Sequence, residues 1–257
     1  MLKIKSYVRS QSLKEAYELL IKKKSNVILG GMLWLKMQNK TVDTAIDLQD
    51  LGLDCIEETD RAWKIGAMVS LRDLELHKGL NLATQGAMRE SLAHSVGVQF
   101  RTTATIGGSL YGRFGFSDVL TLFQVLDAKI DLYHHGLLSV EEFCQLPRRD
   151  RDLLIRVIVP KKSRSVVYLS QRNSATDFPV LTCAVSKTDN GICCSVGARP
   201  GKAVCLRNLP EDPDAAAAQV AAQLQFGSNV RAGMDYRREI CRVLVRRAMT
   251  QLPAQEG

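Results

Sequence analysis

The first part of the chain alternates between helical and strand-like spacing of its apolar residues. Ser12-Leu13-Lys14-Glu15 forms a capping box, in which the serine accepts from a backbone N–H and the glutamate reaches back. Apolar residues then recur at helical spacing as far as position 20, so the pattern predicts a helix that ends within 22–26. The apolar run Val27-Ile28-Leu29 predicts a buried strand that leads into Gly30-Gly31.

The mixture of helices and strands continues as far as residue 160. The pattern predicts strands at 44–48 and 63–69, a short helix that starts after Ser70, and a longer helix over 82–95. The segment 98–105 leads into a second diglycine, Gly107-Gly108.

Three more elements precede a change of pattern near residue 161. Ser117 or Asp118 can cap a helix that runs to Leu126, and 129–133 reads as a strand. Ser139-Val140-Glu141-Glu142 is another capping box. An apolar strand at 153–159 is closed by Pro160.

After the short basic stretch 161–165, strands follow one another and helices come last. Four strands are predicted, and a hairpin signal, Asp189-Asn190-Gly191, joins the second to the third. They cover 166–170, 180–186, 192–196 and 203–206. Helices over 215–224 and 236–251 complete the chain, and we expect the residues from Pro253 to be frayed. The pattern predicts an α+β fold with two domains, 1–162 and 163–257, the second an antiparallel sheet covered by helices.

Composition excludes several classes of protein. The chain has 257 residues, of which 46% are hydrophobic and 24% charged, as in ordinary globular proteins. No apolar run is long enough to span a bilayer, and Lys3 and Lys5 precede no secretory apolar segment. The seven cysteines are an odd number and several lie in apolar runs, which favours a reducing compartment. We therefore expect a cytoplasmic protein with no membrane partner.

The net charge and the spacing of possible metal ligands exclude further kinds of partner and site. The net charge of +8 suggests nucleic acid, but no aromatic residues interleave with the basic ones, so we expect no nucleic-acid partner. The cysteines contain no C-x-x-C pair, and the four histidines have no zinc spacing, so no metal site is predicted. Neither an acid/base pair nor a nucleophile triad is evident, and no catalytic residue is predicted.

The two diglycine stretches are the strongest candidate for a binding site. Each follows an apolar or β-branched run, and glycine lets a ligand approach the main chain closely. We expect the N–H groups of Gly30, Gly31, Gly107 and Gly108 to share the charge of one diphosphate cofactor. Arg101 and Arg113 flank the second stretch and could offset phosphate charge. The alternative is that both stretches are ordinary tight turns and both arginines are solvated.

A family resemblance rests on these stretches and their surroundings. Residues 27–34 and Thr105-Ile106-Gly107-Gly108-Ser109, close to a TIGGN motif, resemble the flavin-binding stretches of FAD-binding subunits of molybdenum hydroxylases such as xanthine dehydrogenase and carbon monoxide dehydrogenase. Asp118, Leu126-Asp127-Ala128 and the Arg172…Asp177 region resemble further parts of that family, in order along nearly the whole chain.

The resemblance implies a fold, a cofactor and partners. It implies an N-terminal FAD-binding domain of the vanillyl-alcohol-oxidase type and a C-terminal domain like that of carbon monoxide dehydrogenase flavoproteins. Electrons would come from a [2Fe–2S] subunit and pass through FAD to NAD⁺ or another acceptor, while a molybdopterin subunit carries out hydroxylation. The residues it implies for FAD binding are Val27, Ile28, Leu29, Gly30, Gly31, Met32, Leu33, Trp34, Thr105, Ile106, Gly107, Gly108, Ser109 and Asp118.

Some positions depart from the family pattern and support an alternative. Met32 replaces a polar residue, Ser109 replaces the asparagine of TIGGN, and a lysine usual near 168–171 is absent. Methionine donates no hydrogen bond to phosphate. The alternative is a flavin-poor homologue with a structural or assembly role. Asp118 could accept from a ribityl or ribose hydroxyl or from a backbone N–H, or could be the N-cap of its helix. Trp34 and Phe116 could border a ligand ring or belong to the core.

Overall fold

A computed structural model describes residues 1–147 and 149–252, which form three β-sheets and their covering helices. The strands are β1 (Lys3–Arg9), β2 (Val27–Leu29), β3 (Thr41–Asp47), β4 (Ile56–Glu58), β5 (Ala62–Gly66), β6 (Lys129–Leu132), β7 (Gly136–Ser139), β8 (Leu154–Pro160), β9 (Ser165–Arg172), β10 (Pro179–Thr188), β11 (Gly191–Gly197) and β12 (Val204–Leu209). The helices are α1 (Leu13–Lys22), α2 (Leu71–Leu76), α3 (Lys78–Ala83), α4 (Ala87–Ala93), α5 (Val98–Thr103), α6 (Ile106–Tyr111), α7 (Asp118–Val125), α8 (Val140–Gln145), α9 (Pro213–Gln223) and α10 (Met234–Gln251). The expected fraying from Pro253 lies outside the described residues.

The first sheet is parallel, in the order β1-β3-β2, and α1 connects β1 to β2. Ala45 and Ile46 of β3 are fully buried, because β3 lies between the other two strands. Periodicity did not indicate β1, since this edge strand is almost entirely exposed and carries polar residues at most positions. A strand with no buried face leaves no apolar alternation in the sequence.

The second sheet is antiparallel, in the order β4-β5-β8-β6-β7, and helices α2–α7 pack with it into the largest core cluster. The predicted helix over 82–95 is wrong, because the chain breaks between α3 and α4. Gln85 and Gly86 both have positive φ, 46° and 84°. Thr84 accepts from the N–H of Met88 at 3.1 Å, which starts α4 after the break. Two successive residues in the left-handed conformation end a helix, and at the second of them glycine adopts this conformation with little cost in free energy.

The C-terminal sheet is antiparallel, as the sequence predicts, and its strand order is β12-β11-β10-β9. The helices α9 and α10 pack on one face of it around a separate apolar cluster. The other face packs on α7, where Ser195 donates to Gln124 Oε1 at 2.6 Å and the hydroxyls of Thr121 and Thr182 are 2.8 Å apart. We retain the boundary at 162/163, which lies between β8 and β9, as a proposal.

Arg237 is the largest fully buried side chain among the described residues. Its guanidinium donates to the carbonyls of Val180 (3.0 Å), Gly227 (2.7 Å) and Ala232 (2.8 Å) and to Asn229 Oδ1 (2.7 Å). This one cation therefore joins α10, β10 and the loop before α10. Burial lowers the pKa of Arg237, and its hydrogen bonds to backbone oxygens offset the loss of hydration.

We expect Arg237→Met to lower the free energy of unfolding by about 3 kcal/mol or more, because several buried acceptors lose their donor. Arg238 is the matched control, since its guanidinium is partly exposed, pairs with Asp235 at 3.2 Å and lies 5.9 Å from the centre of the Phe226 ring. Arg238→Met should lower the free energy of unfolding by less than about 0.5 kcal/mol. Urea unfolding of the two variants measures the difference, and equal losses would contradict this role for Arg237.

A buried carboxylate orders the β6–β7 turn. Asp152 accepts from the N–H groups of His134 (3.0 Å) and His135 (2.9 Å), and its Oδ2 lies 2.8 Å from His135 Nδ1. The hydrogen bond to Asp152, aided by Asp150, raises the pKa of His135. The added stability is fully present below the unfolded-state pKa of about 6.5 and is lost as the pH rises through the higher folded-state pKa.

The variant His135→Gln should therefore be most destabilised at acidic pH. We expect the loss in unfolding free energy to be larger near pH 5.5 than near pH 9 by about 0.5–1 kcal/mol. Urea unfolding of both proteins across this range measures it. If the loss in unfolding free energy is the same at every pH, the charge of His135 contributes nothing to stability.

Candidate diphosphate-binding site

The two diglycine stretches meet in space, at the junction of the first sheet with helices α5 and α6. A Cβ on Gly30 would lie 2.8 Å from Thr105 Oγ1 and 3.8 Å from the Cα of Gly108. A Cβ on Gly31 would lie 1.9 Å from the carbonyl oxygen of Thr103. The backbones are therefore in direct contact, and only glycine fits at position 31.

The first stretch leaves β2 and turns sharply. Met32 has φ 56°, a left-handed conformation that costs a residue with a Cβ about 1–2 kcal/mol. Its carbonyl accepts from Lys36 N–H at 2.9 Å, so one helical turn follows the glycines. The Met32 side chain packs against the apolar cluster of Leu29, Val42 and Ala45.

The second stretch is the first turn of α6 rather than a free-standing turn. Thr105 is the N-cap, and its hydroxyl accepts from Gly108 N–H at 3.1 Å. The N–H groups of Ile106 and Gly107 donate to the carbonyls of Val69 and Ala67, both at 2.9 Å. The expectation that Gly107 and Gly108 offer free N–H donors is therefore wrong, because Gly107 donates to the Ala67 carbonyl and Gly108 to the N-cap hydroxyl of its own helix.

The free donors belong to the first stretch. Within 1–147 and 149–252, the N–H groups of Gly30, Gly31 and Met32 donate to no other group. Successive N–H groups at a turn that enters the left-handed region form a concave anion site. Gly108 is exposed beside Gly30, and the half-buried Ser109 hydroxyl has no partner among the described residues. The two stretches together thus present backbone N–H groups and one hydroxyl.

Five half-buried aromatic rings cluster beside the glycines. The Trp34 ring lies 5.7 Å from Phe178 in a stacked arrangement and 5.8 Å from Phe116, with Phe114 and Phe100 at 6.0 and 6.2 Å. Sequence reasoning named Trp34 and Phe116 but missed the other three. The pattern Phe114-Gly115-Phe116 could have placed Phe114 in the aromatic cluster beside Phe116. Phe178 is distant in sequence, and no local pattern indicates that it belongs there.

Asp118 lies at the junction between α7 and the C-terminal sheet. Its buried carboxylate accepts from Tyr168 Oη, Arg172 Nη2 and, at 3.4 Å, Ser95 Oγ. Ser117 is the N-cap of α7 and accepts from Leu120 N–H at 3.1 Å, so the N-cap alternative for Asp118 is wrong. Burial raises the pKa of Asp118, although Arg172 opposes this shift. Burial and the Asp118 carboxylate raise the pKa of Tyr168 well above 10.

A chain of contacts runs from Asp118 to the aromatic cluster. Arg172, which pairs with Asp118, also donates to the carbonyl of Asp177 at 2.7 Å. Arg231 pairs with the Asp177 carboxylate at 3.2 Å and lies 4.9 Å over the Phe178 ring. Because Phe178 stacks on Trp34, the buried ion pair holds the C-terminal sheet against the first diglycine stretch.

The two flanking arginines are not free for a ligand. Arg101 is buried and its Nε donates to Glu75 Oε2 at 2.7 Å. Arg113 donates to the carbonyls of Phe143 (3.2 Å) and Leu146 (2.6 Å). The expectation that these arginines offset phosphate charge and the alternative that they are solvated are both wrong, because both side chains are buried and donate within the core.

The described residues contain neither a cluster of metal-ligating side chains nor a helix that could span a membrane. No group of three or more His, Cys, Asp or Glu side chains in 1–147 and 149–252 could hold a metal ion. Within the same residues, no helix combines the length and the apolar character that crossing a bilayer requires.

Comparison of sequences gives a family match and relatives. Residues 2–162 match the model of the FAD binding domain in molybdopterin dehydrogenase. The chain is also 30% identical over 205 residues to the uncharacterized protein YgfM of Escherichia coli, covering 78% of this chain and 77% of that one.

Comparison of structures extends the match to the whole chain. A chain of the reconstituted CO dehydrogenase from Oligotropha carboxidovorans has a TM-score of 0.86 at 23% identity, with 99% of both chains covered. A chain of quinoline 2-oxidoreductase from Pseudomonas putida 86 has a TM-score of 0.83 at 18% identity, with 96% of both covered. At these identities the likeness shows a shared fold, which extends through the C-terminal sheet and helices.

The close approach at Gly31 yields a direct test. We expect Gly31→Ala to lower the free energy of unfolding by about 2 kcal/mol or more, because the new methyl group overlaps the Thr103 carbonyl. Gly201→Ala is the control, since its Cβ would meet only the end of the Arg199 side chain at 3.7 Å. The control should stay within about 0.5 kcal/mol of the parent in urea unfolding. Equal stability of the two variants would contradict the backbone contact.

Proposed function

The chain belongs to the family of FAD-binding domains of molybdopterin dehydrogenases, and from this premise we propose that it transfers electrons as the flavin subunit of a molybdenum hydroxylase complex. Its family makes it an FAD-binding oxidoreductase subunit. The observation that carries the proposal is the contact between the two diglycine stretches, with unpaired N–H groups on one of them.

The residues at this junction fit a diphosphate. The N–H groups of Gly30, Gly31 and Met32 would donate to phosphate oxygens, and Ser109 would add a hydroxyl donor. Gly107 and Gly108 contribute a wall without side chains, which lets the phosphates approach the backbone. The remaining members of the proposed set support these groups: Val27, Ile28, Leu29, Leu33, Trp34, Thr105, Ile106 and Asp118.

The aromatic cluster would border the flavin ring. Trp34, Phe116 and Phe178 form a half-buried apolar surface next to the glycines, which excludes water from a planar ligand ring. Asp118 acts as a positioning residue, because it fixes Arg172 and through it the segment that carries Phe178. FAD, when bound, supplies the capacity to accept electrons one at a time and to release them as a pair.

The partner chains and the acceptor belong to the proposal. We expect one chain with a [2Fe–2S] cluster as the electron donor and another with molybdopterin as the hydroxylating subunit. NAD⁺ is one candidate acceptor. The family's description as molybdopterin dehydrogenases and the likeness to CO dehydrogenase and quinoline 2-oxidoreductase chains support this arrangement.

A second candidate function is a flavin-poor structural or assembly subunit. The observation that favours it is the internal use of the Gly107 and Gly108 N–H groups, which halves the predicted set of phosphate donors. The left-handed Met32 adds a side chain that cannot donate to phosphate. The two candidates differ in whether the folded protein holds FAD.

The visible spectrum of the purified chain tests the proposal. We expect flavin absorption bands and, on denaturation, release of about one FAD per chain. Ser109→Ala should weaken FAD binding about five- to tenfold, the loss of one hydrogen bond, as measured by fluorescence titration of the apoprotein. Gly201→Ala should bind FAD like the parent. A correctly folded, colourless protein that does not take up added FAD would contradict the proposal and favour the structural role.

A further inference from the structure

Two pairs of thiols lie on opposite faces of the C-terminal sheet. Cys183 and Cys194 have their sulfur atoms 3.8 Å apart and are fully buried under helices α9 and α10. Cys193 and Cys205 lie on the other face, where the two thiols interact and Cys205 Sγ also lies 4.0 Å from the carbonyl oxygen of Leu206. The adjacent residues Cys193 and Cys194 thus belong to different pairs, because successive strand residues point to opposite faces.

One thiol of the second pair, that of Cys193, lines a cavity. A cavity of about 350 Å³ is lined by Cys193 together with Asp127, Lys162, Glu141 and Arg207. Cys193 is 8% exposed, and Cys205 is partly exposed. A cavity of this size admits small reactants that cannot reach the sealed Cys183 and Cys194.

Charged side chains of both signs surround the second pair. Arg207 spans the cavity rim and pairs with Asp127 at 3.0 Å and Glu141 at 2.7 Å. The hydrogen bond from Cys205, aided by Arg207 and Arg164, lowers the pKa of Cys193, while that of Cys205 is raised. On the other face, the hydrogen bond with Cys183 and burial raise the pKa of Cys194 well above 9. A nucleophilic thiol needs thiolate character and access, and of these two pairs only Cys193 combines a lowered pKa with a place on a cavity wall.

The strand pairing places the two thiols as diagonal neighbours. Strands β11 and β12 pair through Cys194–Leu206 and Ser195–Cys205, and the register shifts between Ile192 and Cys194. Closing a disulfide requires a sulfur–sulfur distance of about 2.05 Å, so the strands must adjust. The irregular pairing at Cys193 is the part of β11 best able to adjust, because the ladder is already interrupted there.

We propose that Cys193 and Cys205 form an oxidisable dithiol that a small peroxide converts to a disulfide between β11 and β12. The Cys193 thiolate attacks one oxygen of hydrogen peroxide, the O–O bond breaks, and hydroxide leaves as water after taking a proton. The sulfenic acid at Cys193 is then attacked by the sulfur of Cys205. The S–S bond forms, the S–O bond breaks, and a second water leaves with the proton of Cys205. Two electrons pass from the thiols to the peroxide.

Peptide mapping after treatment of the native full-length chain with hydrogen peroxide tests the proposal. We expect a mass loss of about 2 Da and a link between tryptic peptides 188–202 and 203–207. Because peptide 188–202 contains both Cys193 and Cys194, the link must persist in Cys194→Ala and disappear in Cys193→Ala. In Cys205→Ala, the sulfenic acid should accumulate at Cys193 and be trapped by dimedone. Circular dichroism confirms that each variant is folded.

The other thiols provide internal controls. Cys55 is a free, exposed cysteine, so it reports whether peroxide reached the protein. Oxidation of Cys55 without a 193–205 link would overturn the proposal. A link between peptides 173–187 and 188–202 that forms first would equally overturn it, because that link joins the sealed pair Cys183 and Cys194.

Discussion

The candidate site depends on one backbone contact, the approach of Gly31 to the carbonyl of Thr103. A methyl group at position 31 would lie 1.9 Å from that oxygen, well inside van der Waals contact. The contact ties the first sheet to the α5–α6 segment and brings two stretches that are distant in sequence to one place. Glycine is needed there because two main chains touch; the left-handed residue of the turn is the neighbouring Met32.

The two diglycine stretches have different roles at this contact. The second supplies the docking surface, because its N–H groups bind the Ala67 and Val69 carbonyls and the Thr105 hydroxyl. The first leaves its N–H groups unpaired and turned through a left-handed residue. A site built from main-chain donors can bind a diphosphate without burying a lysine or arginine. This agrees with the positions of Arg101 and Arg113, whose guanidinium groups already donate to other parts of the protein. The buried Asp118–Arg172 pair then fixes the third wall, which carries Phe178.

Much of the fold could be predicted from periodicity, and the exceptions have physical causes. The C-terminal sheet was predicted because its strands are apolar and joined by a clear hairpin signal at Asn190-Gly191. Strand β1 was missed because it has no buried face, and the break at Gln85 was missed because a glutamine rarely adopts positive φ. For the site, the sequence shows where glycines lie but not which carbonyls their N–H groups meet. Phe178 and Tyr168 joined the site only through tertiary contacts, which no local pattern encodes.

Backbone amide exchange, followed residue by residue by NMR with and without FAD, tests the central claim most directly. The account predicts that Gly30 and Gly31 exchange quickly in the free protein, because their N–H groups have no acceptor, and become protected when FAD binds. Gly107 should be protected in both states, since it already donates to Ala67. Fast exchange of Gly107 and Gly108 in the free protein, with protection by FAD confined to them, would contradict the account.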